Sequence, residues 1–268
     1  MGKVDDFYEK FKNDPVLIEM INDGSSLSKM AQYMSLPSGT AGHVLSKMGR
    51  VKRTVEVVKP VEWDEFTSYL FGLILADGCI HKPRGSRGIG QIDISSSDYE
   101  FIKAIASRLK IEHIQVNHKG DKVCYRIYWT DEQWYRMVVD WGLTPRKSFE
   151  PILLRCLPVN YNHFIRGFFD GDGSAYTHDR KGYKEINISF HGNKLVLEQL
   201  ISNLPDSIIV NFSKFTKDKR RNDLYSVSLS SLRGTRLLYD YMYSDCTVFM
   251  ERKRNIIEEF ILSKEKGL

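Results

Sequence analysis

Twice in this chain an apolar run ends in an acid followed by glycine: YLFGLILADG at Tyr69–Gly78 and FIRGFFDGDG at Phe164–Gly173. Each run is too long for a turn and reads as a helix. A carboxylate at a helix C-terminus faces the negative end of the macrodipole, which costs a few tenths to about 1 kcal/mol. Accepting that cost twice constrains the fold. Gly72 and Ala76 lie four apart in the first helix, and Gly167 and Gly171 in the second. Residues four apart share a face, and small residues there let two backbones approach more closely than the usual 8–10 Å. If the two faces pack in parallel, Asp77 and Asp172 arrive at one place, each beside a turn-making glycine.

Each run heads the same series of elements, the mark of an internal repeat. In the first copy, a helix over 64–76 leads to a hairpin whose second strand alternates Ile92 and Ile94 with Gln91, Asp93 and Ser95. Ser97 or Asp98 caps a helix carrying Phe101, Ile102, Ile105 and Leu109. Strands near 111–118 and 123–130 come next, then a helix from Asp131 with Trp134, Val138 and Trp141 on one side. The second copy runs from a helix over 161–171 to a strand in which Ile186, Ile188 and Phe190 alternate with Asn187, Ser189 and His191. A helix with Leu197, Leu200, Ile201 and Leu204 succeeds it, then strands near 207–214 and 224–230 and helices near 231–243 and 247–263. The predicted class is α+β, an αββαββα unit written twice. Helices cover one face of each antiparallel sheet and leave the other face polar, so two sheets side by side would form a long polar saddle. The expected domains are 1–50, a linker over 51–62, a first half over 63–160 and a second over 161–268.

Bulk properties narrow the function classes. The 268 residues are 42% hydrophobic, enough for a sizeable core. The formal charge of +5 suits a polyanionic partner. It is concentrated at Lys47, Arg50, Lys52, Arg53 and Lys59, and again at Lys214, Lys217, Lys219, Arg220 and Arg221. Cys79, Cys124, Cys156 and Cys246 form no CxxC pair, which argues against a zinc site or a disulfide framework. A reducing, cytoplasmic setting is expected, with an organellar one left open. No membrane partner is expected, since no apolar run approaches the roughly 20 residues that a span requires.

LFGLILADG (Leu70–Gly78) and IRGFFDGDG (Ile165–Gly173) resemble the two LAGLIDADG motifs of single-chain homing endonucleases, and the resemblance extends over about 63–263. It implies a double-stranded DNA target, a monomer with internal pseudo-twofold symmetry, and divalent cations, Mg²⁺ above all. On this reading Asp77 and Asp172, with the backbone of Ala76 and Gly171 before them, hold the metal. Gly72 and Gly167 pack the helices. One phosphodiester in each strand is then hydrolysed across the minor groove, leaving short 3′ overhangs. Lys147 and Lys253 resemble the basic residue that the family carries in each half. A water-organising residue falls near Ser96 in one half and near His191 in the other, although the family often has glutamine there. Asp170 has no acidic counterpart in the first copy, where Leu75 stands, and reads as structural.

The polar strand faces supply candidates for DNA contacts: Gln91, Asp93, Arg126, Tyr128, Asn187, Ser189, His191, Ser226 and Ser228. Lys217, Lys219, Arg220 and Arg221 add phosphate contacts. Residues 26–53 resemble a helix-turn-helix. Its first helix carries Leu27, Met30 and Ala31, Met34–Pro37 makes the turn, and a second helix spans about Ser38–Lys47. That second helix is expected to expose Ser38, Thr40, Ala41, His43 and Lys47 and to bury Val44, Leu45 and Met48. Ser35 stands where such turns usually have glycine. Lys52 and Arg53 just beyond can track phosphates, and residues 4–21 can supply a supporting helix. Two other functions use the same features: a non-cleaving DNA-binding regulator, and a maturase that binds intron RNA.

Overall fold

A computed structural model of the protein describes residues 3–23, 25–49, 57–61, 63–82, 90–145, 154–219 and 224–265. Lys52, Arg53, Lys147, Arg220 and Arg221 lie outside these residues. The chain divides into two compact units, Met1–Val55 and Glu56–Leu268.

The first unit is helical: α1 (Lys3–Phe11), α2 (Pro15–Asn22), α3 (Leu27–Tyr33) and α4 (Ser38–Lys47). Two helices, not one, precede α3. Asp14 explains the break, because a residue before proline is pushed out of the helical region. Its side chain then accepts from the Leu17 N–H and caps α2, with Pro15 at the first helical position. Leu17, Met30, Val44 and Leu45 form the core. Ala41 is fully buried rather than exposed. It lies three and four residues before Val44 and Leu45, on the apolar stripe that faces inward. Ser35 has φ 51°, so the α3–α4 turn takes a left-handed residue without glycine.

The second unit carries both repeats. The first comprises α5 (Glu65–Ala76), β1 (Cys79–His81), β2 (Gln91–Ser96), α6 (Tyr99–Leu109), β3 (Gln115–Lys119), β4 (Lys122–Thr130) and α7 (Glu132–Asp140). The second comprises α8 (Tyr161–Asp172), β5 (Gly173–Arg180), β6 (Tyr183–Gly192), α9 (Lys194–Ser202), α10 (Asp206–Ile209), β7 (Thr216–Lys217), β8 (Tyr225–Leu229) and α11 (Leu232–Tyr243), with α12 (Glu251–Glu265) after it. Aspartates begin the helices of the first repeat: Asp64, Asp98 and Asp131 accept from the N–H of Thr67, Phe101 and Trp134.

The two four-stranded sheets have the same order, β1-β2-β4-β3 and β5-β6-β8-β7, with every neighbour antiparallel. Ile92, Ile94, Ile127 and Trp129 of one sheet, and Ile186, Ile188, Phe190, Val227 and Leu229 of the other, enter one continuous core. Their strand neighbours form the opposite, polar faces. The strand expected near 207–214 is not there. Residues 206–209 instead make a helical turn, whose Ile208 and Ile209 N–H groups bond to the Pro205 carbonyl. Pro205 fixes the entry dihedral for that turn, which outweighs the strand preference of Ile-Ile-Val. The strand shrinks to β7.

Register makes the repeats comparable residue by residue. Cys79, Asp93 and Tyr128 are cross-strand partners in one sheet, as Ser174, Ser189 and Ser228 are in the other. Ser95 pairs with Arg126 and His191 with Ser226. The counterpart of His191 is therefore Ser95, one residue before the position read from the sequence.

Candidate active site

α5 and α8 pack with almost no space between them. A methyl group at Gly72 would sit 2.0 Å from the Phe164 carbonyl oxygen, and one at Gly167 would sit 2.0 Å from the Tyr69 carbonyl oxygen. Real Cβ atoms do not come so close, so only glycine permits the approach. Pairings that advance together along both helices (Tyr69 and Leu73 at Gly167, Ala76 and Asp77 at Gly171) make the helices parallel. Their C-terminal ends thus coincide. A methyl at Gly171 would lie 2.4 Å from the Ala76 Cβ and 3.5 Å from the Asp77 Cγ. Asp77 is exposed, and Asp172, next in chain after Gly171, is half-buried.

Lys253, from the first turn of α12, closes this end from below. Its ammonium donates to the carbonyls of Phe169 (2.8 Å), Asp170 (2.7 Å) and Gly171 (3.0 Å). These belong to the last turn of α8, where carbonyls lack a full set of intrahelical partners and the dipole is negative. Burial pushes the ammonium down to about 8, against the opposing pull of Asp170, Asp77 and Asp172. Lys253 therefore feels both motif acids.

Asp170 holds α12 in place. It is fully buried, and its Oδ2 accepts from the Tyr69 hydroxyl (2.8 Å) and from the Met250 N–H (2.9 Å), joining α5, α8 and the residue before α12. Burial raises its carboxyl to about 6, with the Tyr69 and Met250 hydrogen bonds and the Lys253 charge opposing. Arg166 does similar work at the other end. It is fully buried and donates to the carbonyls of Val248 (3.0 Å) and Met242 (2.8 Å) and to Glu65 (3.2 Å), and it contacts His163 Nδ1 at 2.5 Å. Burial, then the Arg166 charge, lowers the His163 pKa. Sequence reasoning did not single out Arg166, Tyr69 or Glu65. An arginine inside an apolar helix was the available signal, because such a charge stays only where partners surround it.

His191 is half-buried, with Nε2 2.9 Å from the Ser189 Oγ. Burial, then the Lys253 charge, lowers its pKa. On the first sheet Arg126 donates to Asp93 through Nε (3.1 Å) and Nη2 (2.8 Å), and its guanidinium lies 5.7 Å from the exposed Tyr128 ring. Asp93 is buried by this contact and by His81. Gln91, Asn187, Ser226 and Ser228 are half-buried on the polar faces, Ser189 is buried there, and Lys217 and Lys219 are exposed. In the first unit Ser38, His43 and Lys47 are exposed and Thr40 is half-buried. Lys47 also pairs with Asp5.

Two αββαββα repeats joined through a parallel pair of motif helices define a class, the two-motif α+β proteins with one acid at each motif's end. Residues 64–136 match the LAGLIDADG-like domain family, and the chain has the fold of the LAGLIDADG homing endonucleases. The structure of the homing endonuclease I-WcaI bound to its DNA recognition sequence is similar with a TM-score of 0.53 at 17% identity, covering 73% of this chain and 88% of that one. The meganuclease I-SmaMI bound to uncleaveable DNA gives 0.52 at 10% identity, covering 78% and 92%. I-LtrWI bound to target DNA gives 0.50 at 10% identity, covering 75% and 91%. No curated protein matches the sequence. At these identities the structural likeness establishes the fold.

Proposed function

We propose that this protein is a site-specific endonuclease that hydrolyses one phosphodiester in each strand of a DNA duplex, across the minor groove, leaving short 3′ overhangs. One observation carries the reading: Asp77 and Gly171-Asp172 lie together at the coincident ends of α5 and α8. Cutting two antiparallel strands calls for two acids related by a local dyad, and the matched sheet orders supply that symmetry.

The donors at this end suit a hard divalent cation. They are carboxylate oxygens of Asp77 and Asp172 and carbonyl oxygens of the helix ends, the set that Mg²⁺ takes. Asp77, Asp172 and the carbonyls of Ala76 and Gly171 would hold it. When bound, such an ion supplies an activated water and offsets charge on the phosphate. The chain's own groups prepare the site. Lys253 keeps a positive charge beside Gly171, where an incoming phosphate gains charge as it reacts. Its three carbonyl partners fix that charge in position. His191 presents a neutral, half-buried imidazole on the same half and orients it through Ser189. Lys217 and Lys219 meet phosphates, and Gln91, Arg126, Tyr128 and Asn187 face base edges. In the first unit α4 is proposed as the second helix of a helix-turn-helix that enters a major groove with Ser38, Thr40, His43 and Lys47.

The test begins with selection of a bound duplex from a random library, and the selected duplex is then incubated with Mg²⁺. Cleavage of both strands, abolished by EDTA and lowered roughly 1000-fold or more by Asp77→Asn with Asp172→Asn, is expected. A protein that binds its duplex yet cuts neither strand would make it a regulator on this scaffold. Preference for structured RNA over duplex would instead favour a maturase.

A further inference from the structure

On β1, which starts directly after the first motif, and on the neighbouring β2, the described residues bring one thiol, one imidazole and one carboxylate together. The Sγ of Cys79, a ring nitrogen of His81 and a carboxylate oxygen of Asp93 all lie within 4.8 Å of one another. Backbone geometry explains the grouping. Cys79 and His81 are alternate residues of β1 and so share a face, and Asp93 is the cross-strand partner of Cys79 on β2. The scaffold does not require these residues. By register the second sheet has Ser174, Tyr176 and Ser189 at the same three places, and Ser226 where the first has Arg126. The cluster belongs to one half only.

We propose that Cys79, His81 and Asp93 bind a borderline-soft divalent ion of the zinc class, which staples β1 to β2. Thiolate and imidazole ligands select zinc-like ions, in contrast to the all-oxygen set at the motif ends. With bonds of about 2.0–2.3 Å, tetrahedral ligand atoms stand roughly 3.3–3.6 Å apart. His81 Nε2 and Asp93 Oδ2 stand 2.5 Å apart, closer than that spacing, and no two of the three ligand atoms are more than 4.8 Å apart. A rotation that opens the His81–Asp93 gap by about 1 Å would bring that pair to the spacing. Arg126 grips both oxygens of Asp93 and sets the carboxylate plane, as outer partners of metal ligands do. Each oxygen retains lone-pair capacity for the ion. Three protein ligands leave a fourth position for water. The staple acts where the sheet is weakest, since β1 is a three-residue edge strand. This site is independent of the nuclease reading: it can exist in a protein that cuts nothing.

Cobalt(II) titration of the full chain reads it directly. One equivalent should give the d–d bands of a tetrahedral ion together with a thiolate-to-cobalt charge-transfer band. Cys79→Ser should remove the charge-transfer band and weaken binding roughly 100-fold or more, while Cys124→Ser leaves both. His81→Ala should weaken binding without removing the thiolate signal. Circular dichroism controls for folding of each variant. Zn²⁺ should raise the Tm of the wild type and not that of Cys79→Ser. A wild type without the charge-transfer band at stoichiometric cobalt, or a band undiminished in folded Cys79→Ser, overturns the proposal. Loss of DNA cleavage with the band intact would count against the nuclease assignment alone.

Discussion

At the scale of single residues, the account rests on side chains whose surroundings fix their state. His163 gives a test of sign. Burial and Arg166 lower its folded pKa, so the unfolded chain binds the extra proton first. The stability it contributes is present above about 6.5, the unfolded value, and is lost as pH falls below it. Thermal melts from pH 8 to 5 should show the Tm advantage of the wild type over His163→Gln shrinking from near 6.5 downward, a difference in which the parallel loss at His191 and the opposite gain at Asp170 cancel; a constant difference would remove His163 as a cause. Ser35 gives a second test. Its φ of 51° is a conformation that glycine adopts without strain. Ser35→Gly should raise the stability of the helical unit by about 1 kcal/mol, measured by urea titration of the full chain. Several of these residues were legible beforehand: the aspartate caps can be read from their position before an apolar run, and Ser35 from the turn. Asp93 was read as a base contact, but its burial under Arg126 and His81 depends on a register that no linear pattern contains. Ala41 was placed outward because alanine gives no strong signal; its neighbours Val44 and Leu45 decide its side.

Among the elements, α5 and α8 determine the rest. Their contact surface is backbone against backbone, so Gly167→Leu must drive the helices apart. Core overpacking typically costs about 1–3 kcal/mol, and a clash with main chain at 2.0 Å exceeds that range. Gly167→Leu and Gly72→Leu should each yield unfolded or aggregated protein; a folded Gly167→Leu variant with wild-type Tm would contradict the packing. The glycine spacing predicted this interface because helix geometry repeats at short range. Residues 206–209 show the opposite case. Ile208, Ile209 and Val210 look like a strand in isolation, yet Pro205 and Asp206 after it start a helical turn. Local chemistry overrode composition there. Arg166 and Asp170 tie the motif helix to the approach of α12 through main-chain partners distant in sequence, which only the folded chain brings close.

For the whole molecule, the repeat is the organising fact. Two equal sheet orders and two motif helices were readable because the same series of elements appears twice, and repetition separates a pattern from chance. The asymmetry between halves was not readable: Cys79, His81, Asp93 and Arg126 in one, serines and Tyr176 in the other. Polar sheet faces and the exposed Lys217 and Lys219 imply salt-sensitive duplex binding. Replacing both lysines by glutamine should reduce the slope of log K against log salt by roughly 2 if each meets a phosphate. The central claim is that Asp77 and Asp172 form one shared centre, and strand-resolved cleavage kinetics with Asp77→Asn and Asp172→Asn as separate variants test it most directly. A shared centre predicts that either substitution suppresses cutting of both strands while duplex binding persists. Loss of only one strand's cleavage in each variant, or of neither, would contradict it.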